Sequence, residues 1–123
     1  MRYDPALAPD PEEWLALDEQ ERVLLVRQHH KRARERSGSP QLHAIVHATV
    51  ETQLADAHPD VTAAFERLSQ AGLDRHSVIH AIGSVLAGDI YGIMKSRRSH
   101  DPQEYARKLK ELTAESWLRS GEE

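Results

Sequence analysis

At three places where an apolar periodic stretch begins, a residue that caps helices stands directly before a proline: Asp10-Pro11, Ser39-Pro40 and Asp101-Pro102. A side-chain oxygen at the cap accepts a hydrogen bond from a free backbone amide, and proline suits the first helical position because it has no amide to donate. His58-Pro59 adds a helix stop, since proline disfavours helical geometry in the residue before it. These signals divide the chain into helical segments with short connections and predict an all-α fold.

The apolar pattern between these signals predicts a bundle of about five helices. The first is expected to bury Leu15, Val23 and Val26 and to end in the cationic run 31–34, before Ser37-Gly38-Ser39. Asp60 is expected to cap the short third helix, which closes at Gly72. The fourth helix is the most apolar and is expected to be central. The expected bounds are about 11–34, 40–57, 61–71, 75–95 and a last helix from 102.

Composition limits the fold and the chemistry further. The 123 residues fit one helical domain over 1–123, with 1–9 as an extended N-terminal segment. The absence of cysteine excludes disulfides, thiolate zinc sites and a cysteine nucleophile. A net charge of −4 disfavours a nucleic-acid partner. The N-terminus lacks a signal-peptide layout, and the apolar stretch 77–88 is shorter than the roughly 18 to 20 residues that span a bilayer. We therefore expect a cytoplasmic protein without a membrane partner.

Histidine is the unusual residue, with eight copies. His43 and His47 are four residues apart in the second predicted helix, and His76 and His80 are four apart in the fourth. Each pair therefore projects from one helix face, one turn apart. Random placement of eight histidines would give roughly 0.5 such pairs by template counting. Glu51, one turn beyond His47, directs a carboxylate to the same space.

Two histidine pairs on neighbouring helices predict a metal site with four imidazole ligands and Glu51 as a fifth ligand or general base. Imidazole suits zinc, iron, nickel or copper, so the pattern indicates a divalent transition metal without identifying it. Ala44 and Ser77 stand where the metalloprotease motif H-E-x-x-H needs its glutamate. A metalloprotease is therefore disfavoured. The E-x-x-H pattern of di-iron bundles is also missing at these four histidines.

The other histidines are interpreted individually. His30 shares a helix face with Val23 and Val26, so it reaches the same interior and is interpreted as a core histidine. The alternative is that it hydrogen-bonds to a metal ligand or is itself an extra ligand. His29 and His100 are expected to be solvated. The alternative without a metal is that both pairs are core-edge histidines whose ring nitrogens hydrogen-bond to other protein groups or to water.

The segments that carry these pairs resemble a known family. Leu42-His43-Ala44-Ile45-Val46-His47, the continuation 51–55, Phe65-Glu66-Arg67-Leu68 and His76-Ser77-Val78-Ile79-His80-Ala81 look like a small bacterial family called domain of unknown function 1841. The resemblance covers about residues 42 to 90 and implies a paired H-x-x-x-H site. Relatives would have an acid soon after the second pair, where this chain has Gly88-Asp89. Asp89 lies on another helix face from His76 and His80, so it is not expected to be a ligand.

The preferred interpretation is a helical metal-binding protein, in which an open coordination position would activate water for hydrolysis of a small-molecule substrate that the sequence does not identify. The alternative is a metal-free interaction or structural protein, with a homodimer formed through the broad apolar fourth helix. Metal content separates the two interpretations.

Overall fold

The computed structural model describes residues 1–33 and 39–119. In that part of the chain the regular elements are seven helices, and the all-α fold predicted from the sequence is confirmed. The number of helices is larger than the predicted five, because the first predicted helix is divided and a short helix follows the last. The helices are α1 (Pro11–Ala16), α2 (Glu19–Ala33), α3 (Pro40–Ala55), α4 (Pro59–Gln70), α5 (Arg75–Ser96), α6 (Pro102–Glu111) and α7 (Ala114–Arg119).

The break between α1 and α2 has a local cause in Asp18 and Glu21. The Asp18 carboxylate accepts a hydrogen bond from the Glu21 amide at 2.8 Å, and the Glu21 carboxylate accepts one from the Asp18 amide at 2.9 Å. This reciprocal capping box starts a new helix. The break also changes which side chains face inward: Trp14 is fully buried, whereas Leu15 and Leu24 are exposed, against the expectation for Leu15.

The two ends of α4 show one wrong and one correct expectation. His58, rather than Asp60, is the N-cap, and its Nδ1 accepts a hydrogen bond from the Val61 amide at 3.4 Å. Gly72 follows the helix with φ +106°, a left-handed conformation that favours glycine, as expected for a helix stop.

The core consists of two apolar clusters that share α3. The larger cluster joins α3, α4, α5 and α6 and includes Val50 and Ile82. The smaller one joins the N-terminal segment, α1, α2 and α3 and includes Trp14 and Ala48. Because successive helical residues turn by about 100°, α3 presents different faces to the two clusters and a third face between them. His43 and His47 occupy that third face.

The long helix α5 packs against α3, α4 and α6, whereas α3 packs against α1, α2, α4 and α5, so α5 shares the central position that the sequence predicts for it alone. By length and composition alone it would also pass as a membrane span. The core helix of a globular domain meets the same criteria, and α5 buries Val78, Ile79, Ile82 and Leu86 against its neighbours. Its length therefore adds no argument for a membrane.

Candidate metal centre

Five imidazole rings meet where α2, α3 and α5 pack together. His76 and His80 of α5 have ring centres 4.4 Å apart, and His30 of α2 lies 4.5 Å from His43 of α3. The α5 histidine pair and the α2–α3 histidine pair contact each other through His43 and His80, whose ring centres are 5.0 Å apart. The structure thus brings together all four histidines that the spacing selects, with His30 as a fifth.

The side-chain nitrogens form two groups of three, and His47 belongs to both. One group contains His30 and His43, and the other contains His76 and His80. Within each group the three nitrogens lie within 4.8 Å of one another. Two ligands of one ion, each about 2.1 Å from it, are at most about 4.2 Å apart, so nitrogens at the upper limit of 4.8 Å would have to move closer for either group to hold a metal.

Burial keeps several of these rings neutral. Desolvation and, after it, the neighbouring imidazoles, His43 first, together lower the pKa of His30 to about 3. Desolvation also lowers the pKa of His80 to about 4 and that of His47 well below its usual range. A neutral imidazole has a lone pair on one ring nitrogen, which is the form that binds metals. Near pH 7 these side chains are therefore in the metal-binding protonation state.

Two buried nitrogens in the cluster have no hydrogen-bond partner among the residues that the structure describes: Nδ1 of His47 and Nε2 of His80. A buried polar atom without a partner costs about 1–3 kcal/mol. A bound metal would satisfy both atoms at once, so the donor set fits a transition metal that prefers imidazole.

Glu51 lies one turn beyond His47, as its spacing predicts, but belongs to neither three-histidine group. Its carboxylate accepts hydrogen bonds from Arg75 on both oxygens, at 2.7 and 2.8 Å, and another from the hydroxyl of Tyr3. Because the single phenol proton goes to Glu51, the Tyr3 oxygen accepts from Nε2 of His47, 2.7 Å away. This places the His47 proton on Nε2 and leaves the lone pair on Nδ1.

Sequence reasoning missed Tyr3 and Arg75. Tyr3 is only 2% exposed although it lies in the segment expected to be merely extended. No periodic signal marks it. Arg75 had a signal, because a buried Glu51 needs a counter-charge and Arg75 begins the helix that carries the second histidine pair.

The remaining histidines differ from expectation in part. His30 is buried within the cluster and belongs to the group that contains His43 and His47. His29 is half-buried rather than solvated, and its ring lies 6.0 Å from Tyr3 and 6.1 Å from His76. His100 is partly exposed, but its Nδ1 lies 2.9 Å from a carboxylate oxygen of Asp89. Asp89 is therefore engaged at a second location on α5, away from the histidine cluster.

A cavity of about 600 Å³ opens beside the cluster, between α3, α5 and the C-terminal helices. His43, His47 and His80 form part of its lining. Most of its other walls are apolar: Leu42, Val46, Ile79, Ala87, Leu112 and Trp117. Its volume lies within the range of small-molecule sites, about 300–1,000 Å³.

Comparison with known proteins supports the resemblance carried by the paired motifs. Neither a search of curated proteins nor a search of solved structures finds a match to this chain. The sequence profile of one family matches residues 6–111, well beyond the segment 42–90 that carries the resemblance. The chain therefore belongs to the family described as Domain of unknown function (DUF1841).

Proposed function

We propose that this protein binds a divalent transition metal, zinc, iron or nickel, between α2, α3 and α5. The ligands are the four histidines predicted from the sequence, with His30 as an additional ligand: His30, His43, His47, His76 and His80. The observation that carries the proposal is the convergence of five imidazoles with the orphaned Nδ1 of His47 and Nε2 of His80. Imidazole nitrogen is the donor that these metals share.

The chain of hydrogen bonds from Arg75 through Glu51 and Tyr3 to His47 supports this assignment. Ligating histidines usually donate their second ring N–H to a carboxylate or another acceptor, which fixes the tautomer and the ring orientation. Here Tyr3 is the acceptor, and Glu51 polarises it from the other side. In this proposal Tyr3 and Glu51 are positioning residues that act through His47.

The reaction class that fits best is metal-assisted hydrolysis. An ion held only by neutral imidazoles would lower the pKa of a bound water and act as a Lewis acid. The apolar cavity beside His43 and His80 gives a substrate access to that water. Glu51 as general base or fifth ligand remains the sequence-based prediction, and either role requires its carboxylate to leave part of its pairing with Arg75.

Metal analysis of protein purified without an affinity tag tests the proposal. We expect stoichiometric metal, and His43→Ala, His47→Ala, His76→Ala and His80→Ala should each weaken binding at least tenfold. His58→Ala and His100→Ala are the matched controls, because both side chains lie outside the two groups. Equal metal binding by all six variants, or none by the parent, would leave the metal-free interaction protein as the better interpretation.

Two conservative substitutions separate ligand, base and positioning roles. Tyr3→Phe removes the hydroxyl that accepts from His47, so metal affinity should fall by about 10-fold, within the range for outer-shell partners. Glu51→Gln keeps the size of the side chain and removes its charge. Retained metal with lost hydrolysis would identify Glu51 as a base, and lost metal would identify it as a ligand. An unchanged affinity in Tyr3→Phe would contradict the positioning role.

A further inference from the structure

The lining of the cavity beside the histidine cluster has two chemically different parts. One part is the imidazoles of His43, His47 and His80, and most of the rest is aliphatic and aromatic side chains of α3, α5 and α7. The hydroxyl of Ser84, also in the wall, already donates to the carbonyl of Ala81 at 2.6 Å. The histidines are therefore the main polar anchor that this cavity offers to a ligand.

Charge decides which polar group of a ligand would bind at the histidines. The five imidazoles are neutral ligands, so an ion held by them keeps its full double positive charge. Glu51, the buried carboxylate nearest to the cluster, is already paired with Arg75 and Tyr3. An uncompensated dication at an apolar wall favours an anionic ligand, because electrostatic attraction is strong where water is excluded.

The structure points to a ligand class, an inference that rests on the proposed metal site: we propose that the cavity binds a small monoanion with an apolar body, such as a medium-chain monocarboxylate, whose head group completes the coordination of the metal. The apolar body would lie along Val46, Ile79 and Ala87 towards Trp117. For the proposed hydrolysis, such an anion is the product of cleaving an ester or amide with an apolar acyl group.

The first test uses decanoate, with decanol as the matched neutral probe of the same chain length. Calorimetry first establishes that the protein binds zinc, and the two probes are then titrated into zinc-loaded and zinc-free protein. Decanoate should bind the zinc-loaded form at least tenfold more tightly than the zinc-free form, and at least tenfold more tightly than decanol binds. Equal affinity in either comparison overturns the inference.

Variants locate the binding. Ala87→Phe fills the cavity on α5 without touching a histidine, and Leu42→Glu places a negative charge at its exposed rim. Each should weaken decanoate binding at least tenfold and leave zinc stoichiometry unchanged. The matched controls are Ala63→Phe on the exposed face of α4 and Leu24→Glu on α2, outside this cavity. If Ala87→Phe does not fold, Leu42→Glu decides alone, because its side chain is exposed.

The outcomes separate the two proposals. Zinc binding without decanoate binding overturns the ligand class and leaves the metal site in place. Decanoate binding that Ala87→Phe and Leu42→Glu do not weaken overturns the assigned cavity. Failure to bind zinc, nickel or iron overturns the proposed function, and the ligand inference with it.

Discussion

The two ends of α5 differ in how their buried polar side chains are paired. Near its C-terminal end, Asp89 is 1% exposed; its Oδ2 is 2.9 Å from Nδ1 of His100, and its Oδ1, which has no hydrogen-bond partner among the described residues, faces the Arg98 guanidinium at 3.8 Å. Near its N-terminal end, His80 directs a buried Nε2 into a cluster of further imidazoles, without a hydrogen-bond partner among the described residues. A buried carboxylate with an ion-pair partner holds a helix against its neighbours, whereas buried nitrogens without a hydrogen-bond partner can bind a ligand.

Glu51 refines this comparison, because it lies beside the histidine cluster and yet resembles Asp89. Its carboxylate is paired on both oxygens with Arg75, and Arg75 also donates to the carbonyl of Pro5 at 3.0 Å. Both buried acids among the described residues thus have an ion-pair partner, while the unmatched polar atoms of the cluster are imidazole nitrogens. This contrast is what favours a metal over a purely structural role for the cluster.

Metal removal should have the largest effect on stability. An ion that binds only the folded protein stabilises it by about 4 kcal/mol when free metal is 1,000 times the Kd. Thermal melting with saturating zinc, and again after a strong chelator, measures the difference. His47→Ala should abolish the zinc effect, and His100→Ala should keep it. An unchanged melting temperature after verified metal removal would contradict a metal that links α2, α3 and α5.

Breaking the Glu51 ion pair should have the next largest effect. Arg75→Met leaves a buried carboxylate without its cation, and we expect the free energy of unfolding to fall by about 3 kcal/mol. Arg98→Met is the matched control at the other end of α5. Because Arg98 is one-third exposed and lies 3.8 Å from Asp89, its loss should cost less than about 1 kcal/mol.

Chemical denaturation measures both variants, and the double variant Glu51→Gln/Arg75→Met identifies the cause. Removing the charge of Glu51 as well should recover at least half of the loss. Equal costs for Arg75→Met and Arg98→Met would mean that the two ends of α5 do not differ in the way proposed.

The fold was largely accessible from the sequence because its signals are local. The capping residues before Pro11, Pro40 and Pro102 start helices where the sequence predicts, and Gly72 ends one. The break at Asp18 was also a local signal, since Asp18 and Glu21 have capping-box spacing. The apolar periodicity continues across Asp18, which is why the sequence predicts one helix over 11–34 instead of two.

The candidate site was accessible only in part. Helical spacing places His43 beside His47 and His76 beside His80, because two residues one turn apart share a face in any helix. His30 and Tyr3 join the cluster through the packing of α2 and the N-terminal segment on α3. Such contacts between distant parts of the chain leave no periodic trace in a single sequence.

Acidification of the metal-free protein should have an intermediate effect. The folded protein holds His30 and His80 neutral, with pKa values lowered to about 3 and about 4, whereas the unfolded chain protonates them near pH 6.5. Their neutral forms therefore support stability above pH 6.5, and that stability is lost as the pH falls towards these folded-state pKa values. Each such group should cost less than about 2 kcal/mol between pH 7 and pH 5, because residual solvent contact screens its charge.

Urea denaturation of zinc-free protein at pH 7, 6 and 5 measures this slope. His80→Ala removes one titrating group and should make the dependence shallower. A flat profile from pH 7 to pH 5 would mean that the imidazoles take up protons as readily in the folded protein as in the unfolded chain.

The smallest expected effect tests how closely α3 and α5 must approach beside the histidines. A Cβ at Gly83 would lie 3.1 Å from Cγ1 of Val46, next to His47, whereas a Cβ at Gly88 has no neighbour within 4 Å among the described residues. Gly88→Ala should therefore stabilise the protein by up to about 1 kcal/mol through helix propensity. Gly83→Ala should lose that gain, because Val46 must shift, and should weaken zinc binding several-fold as α3 moves. Denaturation and zinc titration of both variants measure the two effects. Equal stabilisation by both, with unchanged zinc affinity, would show that the close approach at Gly83 does not set the geometry of the cluster.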